Sequence, residues 1–243
     1  MSPVPAVAIV VPCYGPQAPV DRILAEVPVD LRPGLIVVDD GSPRPIRADG
    51  VRLIRHPRNR GYGGAQKTGY AAALQAGFDR VVLLHGDAQY PTLPTLALAQ
   101  ALNQAPVALG SRFLDDHGRA IPAWRRWGNR ALTGVANLRF HTHLSELHTG
   151  ARAFRADLLA ALPLADFSDD YLFDQQVLVA VLARGLPIVE RPVRASYDEG
   201  VQSISFRRSV RYGLGCLWTV ARSRPPRDGL GADGGSSLGR APG

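Results

Sequence analysis

Four short apolar runs, none of them alternating, mark the first half of the chain: Val7–Val11, Leu35–Val38, Val81–Leu84 and Val107–Gly110. Runs of this length and uniformity predict strands covered on both faces, as in a parallel sheet. A shorter stretch, Val51–Ile54, reads as a further strand. Helix signals fill the intervals. One helix is predicted over Pro19–Val27, with proline in its first turn. Another follows the Gly-rich "NRGYGGAQKTGY" and runs to about Ala76, and a third covers Leu93–Leu102. This alternation predicts an α/β fold with a mostly parallel central sheet and helices on both faces. The second half is less regular. Helices are expected over Trp124–Arg139 and Tyr171–Arg184, and short strands near Ala151–Phe154 and Ile188–Val193. From Pro225 the chain is Gly, Pro and Ser with little to bury, which predicts a disordered tail.

Composition changes this picture in two ways. The 243 residues can bury one substantial core with a small appendage. The net charge of +7 is carried almost wholly by arginine, because Lys67 is the only lysine. Arginine forks suit bidentate phosphate or carboxylate binding, although a general bias toward arginine gives the same total. Cys13 and Cys216 are the only cysteines and lie far apart, which argues against a disulfide framework or a cysteine metal site and fits a reducing compartment. The stretch "MSPVPAVAIVVPCYG" has no basic leader and its apolar run is broken by prolines, so no signal peptide is expected. No segment approaches the ~20 apolar residues of a membrane span. The expected location is the cytoplasm, peripheral to the inner face of the membrane if the basic C-terminal segment described below lies on lipid.

Ligands of an open parallel sheet bind beyond the carboxyl ends of its strands. Those ends carry Pro12-Cys13-Tyr14-Gly15, Asp39-Asp40-Gly41-Ser42 and His85-Gly86-Asp87-Ala88-Gln89. Asp39 and Asp40 on their own also fit a turn closed by Asp-Gly. With Asp87 at another strand end, they suggest a ribose or base contact plus a bound cation. A dinucleotide oxidoreductase needs its Gly-rich loop directly after the first strand, and Pro12-Cys13-Tyr14 cannot make it. The cluster Gly61, Gly63, Gly64 follows the third strand instead. It is positioned to cradle a diphosphate at a helix N-terminus, with Lys67 one turn in.

Taken in order, "VAIVVPCYG", "IVVDDGS", "NRGYGGAQKTGY", "HGDAQYP", "GSRF", "HTGARAF" and "FSDDYLFDQQVL" give the chain its resemblance to family-2 glycosyltransferases. That family has the GT-A fold and includes dolichol-phosphate mannose synthase and its bacterial relatives. The resemblance extends from about Val7 to Leu214. It implies a GT-A domain over 1–200, with a nucleotide-sugar half (1–112) and an acceptor half (113–200), then a basic segment (201–224) and a tail (225–243). It implies that Pro12, Tyr14, Asp39 and Asp40 hold the base and ribose of a sugar nucleotide, with Gly63, Lys67 and Gly86 also on the donor. Asp87 and Gln89 fall where the family binds its divalent cation, Mn²⁺ or Mg²⁺. His85 replaces the first acid of that motif and is a candidate third ligand, one that suits Mn²⁺ better than Mg²⁺; a buried core histidine is the other reading. Pro16 stands where an acid is frequent, which leaves the nucleobase open.

The reaction implied is an inverting, single displacement from a nucleoside diphosphate sugar. Arg112 and Arg152 are candidate partners of the leaving diphosphate. In "FSDDYLFDQQ", Asp170 and Asp174 are the catalytic candidates. Asp169 or Asp170 also suits a helix N-cap, and Asp174 aligns with the acceptor-side acid as general base. A lipid phosphate acceptor, already ionised, needs no strong base, and Asp174 would then orient it. Between Gly200 and Arg227 there is no acid but there are six arginines, interleaved with Phe206, Val210, Leu214, Leu217 and Trp218. This segment fits either a packed helix with a solvated basic face or a contact with an anionic membrane. Within it Arg207 is a candidate phosphate contact. Polyprenyl phosphate or a cell-envelope glycan is the expected acceptor class. Two other classes fit the residues less well. A sugar-nucleotide nucleotidyltransferase would want a basic loop after the first strand, and "PCYGPQAPV" has none. A non-catalytic basic module binding RNA or membrane leaves Asp39, Asp40, Asp87 and Asp174 without purpose, so no nucleic acid partner is expected.

Overall fold

The computed structural model describes residues 6–115, 121–195 and 206–225. The tail expected after Pro225 lies outside them. The seven strands β1 (Val7–Cys13), β2 (Leu35–Asp39), β3 (Arg52–Arg55), β4 (Arg80–Leu83), β5 (Val107–Ser111), β6 (Arg152–Arg155) and β7 (Ile188–Pro192) form one sheet. Its order is β3-β2-β1-β4-β6-β5-β7. The uniform apolar runs are explained by two-sided burial. Along β1, Ala8 and Val10 enter one core while Ile9 and Val11 enter the other. The first core is roofed by α2 (Tyr62–Gln75), α6 (Ala156–Ala161) and α7 (Leu172–Leu182), and the second by α1 (Ala18–Glu26), α3 (Thr92–Leu96) and α4 (Leu98–Ala101). Two longer amphipathic helices, α5 (Ala123–Phe140) and α8 (Phe206–Arg222), pack against one another.

Strands β1, β2, β3 and β4 are mutually parallel. The chain leaves β1 toward β2 and β3, then returns to place β4 on the other side. This makes the C-terminal ends of β1 and β4 a topological switch point, where such sheets open a crevice. Two features differ from expectation. The helix predicted over Leu93–Leu102 is divided into α3 and α4 at Ala97. More consequentially, β6 lies between β4 and β5 and runs antiparallel to both. Its four residues bring Arg152 beside Leu83 and Leu109, close under the crevice.

Candidate active site

The site is built from strand ends upward. Asp39, last residue of β2, is fully buried. Its Oδ1 accepts the Ser42 N–H at 2.9 Å, and its Oδ2 accepts the Ile46 N–H at 3.1 Å and an Arg55 N–H. Burial alone would raise its carboxyl, but the Ser42 and Ile46 hydrogen bonds and the Arg55 charge outweigh it and hold the group below the usual carboxylate range. Ser42 in turn presents its Oγ to the Gly15 N–H at 3.1 Å, tying the loop after β2 to the loop after β1. Asp40 is also buried and spends both oxygens on the next turn. Oδ1 accepts from His56 Nδ1 (2.6 Å) and the Arg60 N–H (2.9 Å), and Oδ2 accepts the Gly61 N–H (2.9 Å). His56 Nε2 shares a 2.9 Å hydrogen bond with Thr68 Oγ1 in α2. The two acids expected on base and ribose thus first serve to shape the loops that would surround a nucleotide. Tyr14, beyond β1, is exposed, and Pro12 is buried within β1.

The Gly-rich turn corrects a second expectation. A Cβ on Gly61, whose φ is +95°, would stand 2.4 Å from the Asp169 carbonyl oxygen, and one on Gly63 would meet Phe173 Cβ and the Ser168 oxygen at 2.6 Å. These glycines let the 168–173 segment close onto the head of α2, where the Asp169 carbonyl accepts the Gly64 N–H at 3.1 Å. The space is filled by backbone rather than left for phosphate. Lys67 follows suit. Its three N–H donors go to Asp169 Oδ1 (2.8 Å), the Ala165 oxygen (3.4 Å) and the Phe167 oxygen. It clamps the acceptor-half loop and does not face the crevice with an idle ammonium group.

At the end of β4, Gly86 allows close approach to β1. Its N–H donates to the Pro12 oxygen at 3.2 Å, and a Cβ there would lie 2.5 Å from that oxygen. Asp87 follows and is exposed. Its Oδ1 accepts the Gln89 N–H at 3.0 Å, while Oδ2 takes no hydrogen bond from the described residues. Ala88 sustains the turn in the left-handed region at φ +54°. His85 has gone elsewhere. Its ring lies 5.4 Å from both Tyr62 and Tyr90, and Nε2 is 2.8 Å from the Tyr62 hydroxyl. Burial lowers its pKa against the opposing pull of Asp87 and Asp174, which favours the neutral ring. His85 Nε2 is thus spent on the Tyr62 hydroxyl, and no cluster of three His, Cys, Asp or Glu suited to a metal occurs among the described residues. One exposed carboxylate still fits Mg²⁺ or Mn²⁺, ions that keep several waters and share phosphate oxygens with a substrate.

Beneath this rim runs a buried charge network. Arg152, 2% exposed, donates Nε to the Thr149 oxygen (2.7 Å) and Nη1 to the Asp174 oxygen (3.0 Å), with Asp174 Oδ1 at 3.3 Å. Asp174 Oδ1 also accepts from Gln66 Nε2 at 2.9 Å, and Gln66 Oε1 accepts the Tyr70 O–H at 2.8 Å. The expected general base is thus a buried, ion-paired carboxylate. Asp170 is exposed just before α7, and its Oδ1 accepts the adjacent Tyr171 N–H at 2.8 Å without capping the helix. Arg112 is engaged too. Its Nε donates to Glu146 Oε1 at 2.9 Å, Nη2 also meets that carboxylate, and the backbone N–H reaches Oε2 at 2.8 Å. Arg207 lies in the first turn of α8, and its side chain falls outside the described residues. Gln66, His56 and Glu146 escaped the sequence reading. Each is a polar residue whose partner sits on a distant segment, and only Glu146, an acid in the otherwise apolar and basic "HLSELHTGARAF", offered a local signal.

His148 is lodged between the two arginines. Its Nδ1 shares a 3.0 Å hydrogen bond with the Tyr212 hydroxyl of α8, and its Nε2 is buried without a partner. Burial, helped by Arg152 and Arg112, pushes its pKa down from 6.5 to about 3. The unfolded chain takes this proton near its ordinary pKa, whereas the native chain refuses it. Stability therefore rises with pH between about 3 and 6.5 and falls on acidification, by up to ~1.4 kcal/mol per unit from this group. Urea unfolding at pH 7 and pH 5 is expected to show this loss in the wild type and a clearly smaller one in His148→Asn.

These features place the molecule in a class. A sheet wound both ways from β1, with its open carboxylate at the switch point, is the architecture of GT-A glycosyltransferases. Glucosyl-3-phosphoglycerate synthase from Mycobacterium tuberculosis, in complex with Mn²⁺, UDP and glucosyl-3-phosphoglycerate, is similar to it with a TM-score of 0.66 over 93% of this chain and 83% of that one, at 19% identity. The sequence profile of glycosyl transferase family 2 matches residues 8–162, and the chain belongs to that family. An undecaprenyl-phosphate mannosyltransferase from Micrococcus luteus is 26% identical over 210 residues, covering 78% of this chain and 86% of the relative. A UDP-N-acetylglucosamine–dolichyl-phosphate N-acetylglucosaminyltransferase from Methanococcus voltae is 22% identical over 215 residues, covering 79% and 86%. The protein is thus a glycosyltransferase that uses a nucleotide sugar. No helix among the described residues is long and apolar enough to cross a membrane.

Proposed function

We propose that the protein moves a hexose from a nucleoside diphosphate sugar to a polyprenyl phosphate, by inverting displacement, at the inner face of a membrane. The observation that carries the acceptor class is the state of Asp174. A hydroxyl acceptor needs a base to take its proton, and the acid aligned for that task is held by Arg152 and Gln66. A phosphate monoester is already ionised at neutral pH, so its oxygen can attack the anomeric carbon directly as the bond to the diphosphate breaks. The lipid-phosphate relatives support the same reading.

Asp87, with Gln89 beside it, would hold a divalent cation next to the donor diphosphate. When bound, the cation would neutralise charge on the leaving group. The protein's own part is positional. Asp39 and Asp40 fix the loops around the nucleotide, Tyr14 offers an exposed ring to the base, and the Arg152–Asp174 pair holds α7 beneath the acceptor side. The test is transfer from radiolabelled UDP-glucose, UDP-N-acetylglucosamine and GDP-mannose, with undecaprenyl phosphate or 3-phosphoglycerate as acceptor. Label from one donor is expected in the organic phase, with Mn²⁺ or Mg²⁺ and not with EDTA. Label confined to a water-soluble glycoside would overturn the lipid acceptor, and no transfer to either would overturn the reading as a whole.

A further inference from the structure

We propose that α5 and α8 together form a docking face for an anionic lipid bilayer. The inference stands on the molecular surface and does not depend on which acceptor the enzyme uses.

The two helices lie side by side. Arg139 Nη2 in α5 donates to the Ser223 oxygen just past α8 at 2.7 Å, and Leu132 faces Gly213. The contacts advance along both helices together, so they run in the same direction. Each helix buries one flank on the protein: Thr133, Ala136 and Phe140 from α5, and Cys216, Thr219 and Val220 from α8. An ordinary surface helix would turn polar residues outward on the opposite flank. These two do not.

In α5 the outward positions are Trp124, Trp127, Val135 and Leu138, which fall within about 80° of arc at 3.6 residues per turn. Leu138 is 80% exposed and Trp127 69%. In α8 the outward positions are Val210, Leu214, Leu217 and Trp218, within about 100° of arc. Leu214 is 62% exposed and Trp218 56%. Two neighbouring apolar stripes turned to water are a large unfavourable surface unless something covers them.

Charge identifies the cover. Each helix contains four arginines and not one acid. The Arg125 guanidinium stands 5.0 Å over the Trp124 ring, and that of Arg222 stands 4.6 Å over Trp218. Apolar side chains with arginines and indoles at their margins match the layered chemistry of an anionic bilayer, apolar below and phosphate at the level of the rings. A second copy of this chain would bring two arginine-rich rims together. A nucleic acid would satisfy the arginines and leave the leucines in water.

The test uses the full chain with sedimenting vesicles of phosphatidylcholine alone or with about one third phosphatidylglycerol. Binding is expected only to the anionic vesicles, with a blue shift of tryptophan emission. The pair Leu138→Glu/Leu214→Glu should weaken it at least about tenfold. Both positions are surface leucines, so melting temperature and nucleotide-sugar binding should be unchanged in that variant, which separates loss of docking from loss of fold. Failure of the wild type to bind anionic vesicles would overturn the proposal. So would equal binding by the variant, which would mean charge alone is responsible. A dimer in light scattering that the same variant dissociates, without vesicle binding by the wild type, would assign the face to self-association instead. None of these outcomes bears on sugar transfer in detergent, which remains the separate test of the proposed reaction.

Discussion

Replacing Arg152 with alanine is expected to destabilise the protein by about 3–5 kcal/mol, among the largest effects of any single substitution in the chain. The side chain is 2% exposed and its partner Asp174 is nearly as deeply set. Removing the guanidinium leaves a buried carboxylate with one neutral donor, Gln66, and strips the Thr149 and Asp174 carbonyls of their hydrogen bonds. Burial alone would lower the arginine's pKa. The Asp174 charge, with lesser contributions from nearby phenols, outweighs it and raises it. Burial first, and then the Asp174 charge, also raises the phenols of Tyr62 and Tyr70. Equilibrium urea unfolding measures the loss, and a double-mutant cycle with Asp174→Asn should return a coupling of about 2 kcal/mol or more. A loss below ~1 kcal/mol for Arg152→Ala would mean that water reaches the pair. Asp174 would then be free to act as a base.

Asp87→Ala is expected to do the opposite: lower metal-dependent transfer by about 10²–10³-fold while leaving the melting temperature nearly untouched. The carboxylate is exposed and its one described contact is the Gln89 N–H inside its own turn, so its removal opens no cavity and orphans no buried group. Its value lies in the open oxygen at the switch point. Wild-type enzyme stripped with EDTA should resemble the variant, and added Mn²⁺ should restore only the wild type. Gln89→Ala, which leaves the carboxylate in place, should lose much less. If Asp87→Ala kept a third or more of the wild-type turnover, the cation would have to be held elsewhere.

Strands β1, β2, β4 and β5 are legible in the sequence because two-sided burial leaves a clear mark, a short apolar run with no alternation, which the exposed edge strand β3 lacks. Strand β6 carries no such mark. "RAFR" is short, begins and ends in arginine, and its antiparallel insertion is set by neighbours such as Leu83 and Leu109, 69 and 43 residues before Arg152. The candidate site shows the same division. That Asp39, Asp40 and Asp87 gather at strand ends follows from the pattern of the chain. That Asp39 and Asp40 are saturated follows from Ser42, Ile46, Arg55, His56 and Gly61, a set no spacing rule connects. The Gly61–Gly64 turn is the instructive case. Glycines before a helix read alike whether they admit a phosphate or a neighbouring backbone, and a lysine one turn later strengthens either reading. Only the position of residues 165–173, a hundred residues downstream, decides between them. The outward stripe of α5 was hidden for a related reason. Apolar residues at helical spacing mark two sides of that helix, and the sequence does not say which one meets the protein.

The insertion of β6 has a consequence for how the chain is made. On the ribosome β1 to β4 emerge in order and can pair as they come, but the free edge of β4 must wait from Leu83 to Arg152 for its partner. At ordinary elongation rates that is about 3–14 s. During this interval β5 is already out, apolar and unpaired, and nothing in local sequence prevents it from taking the place beside β4 that belongs to β6. Correct assembly requires that pairing to be avoided or reversed. The nascent enzyme therefore has a built-in period of vulnerability to misregister and to capture by other chains, and a reason to depend on holdase chaperones that its finished sheet no longer reveals.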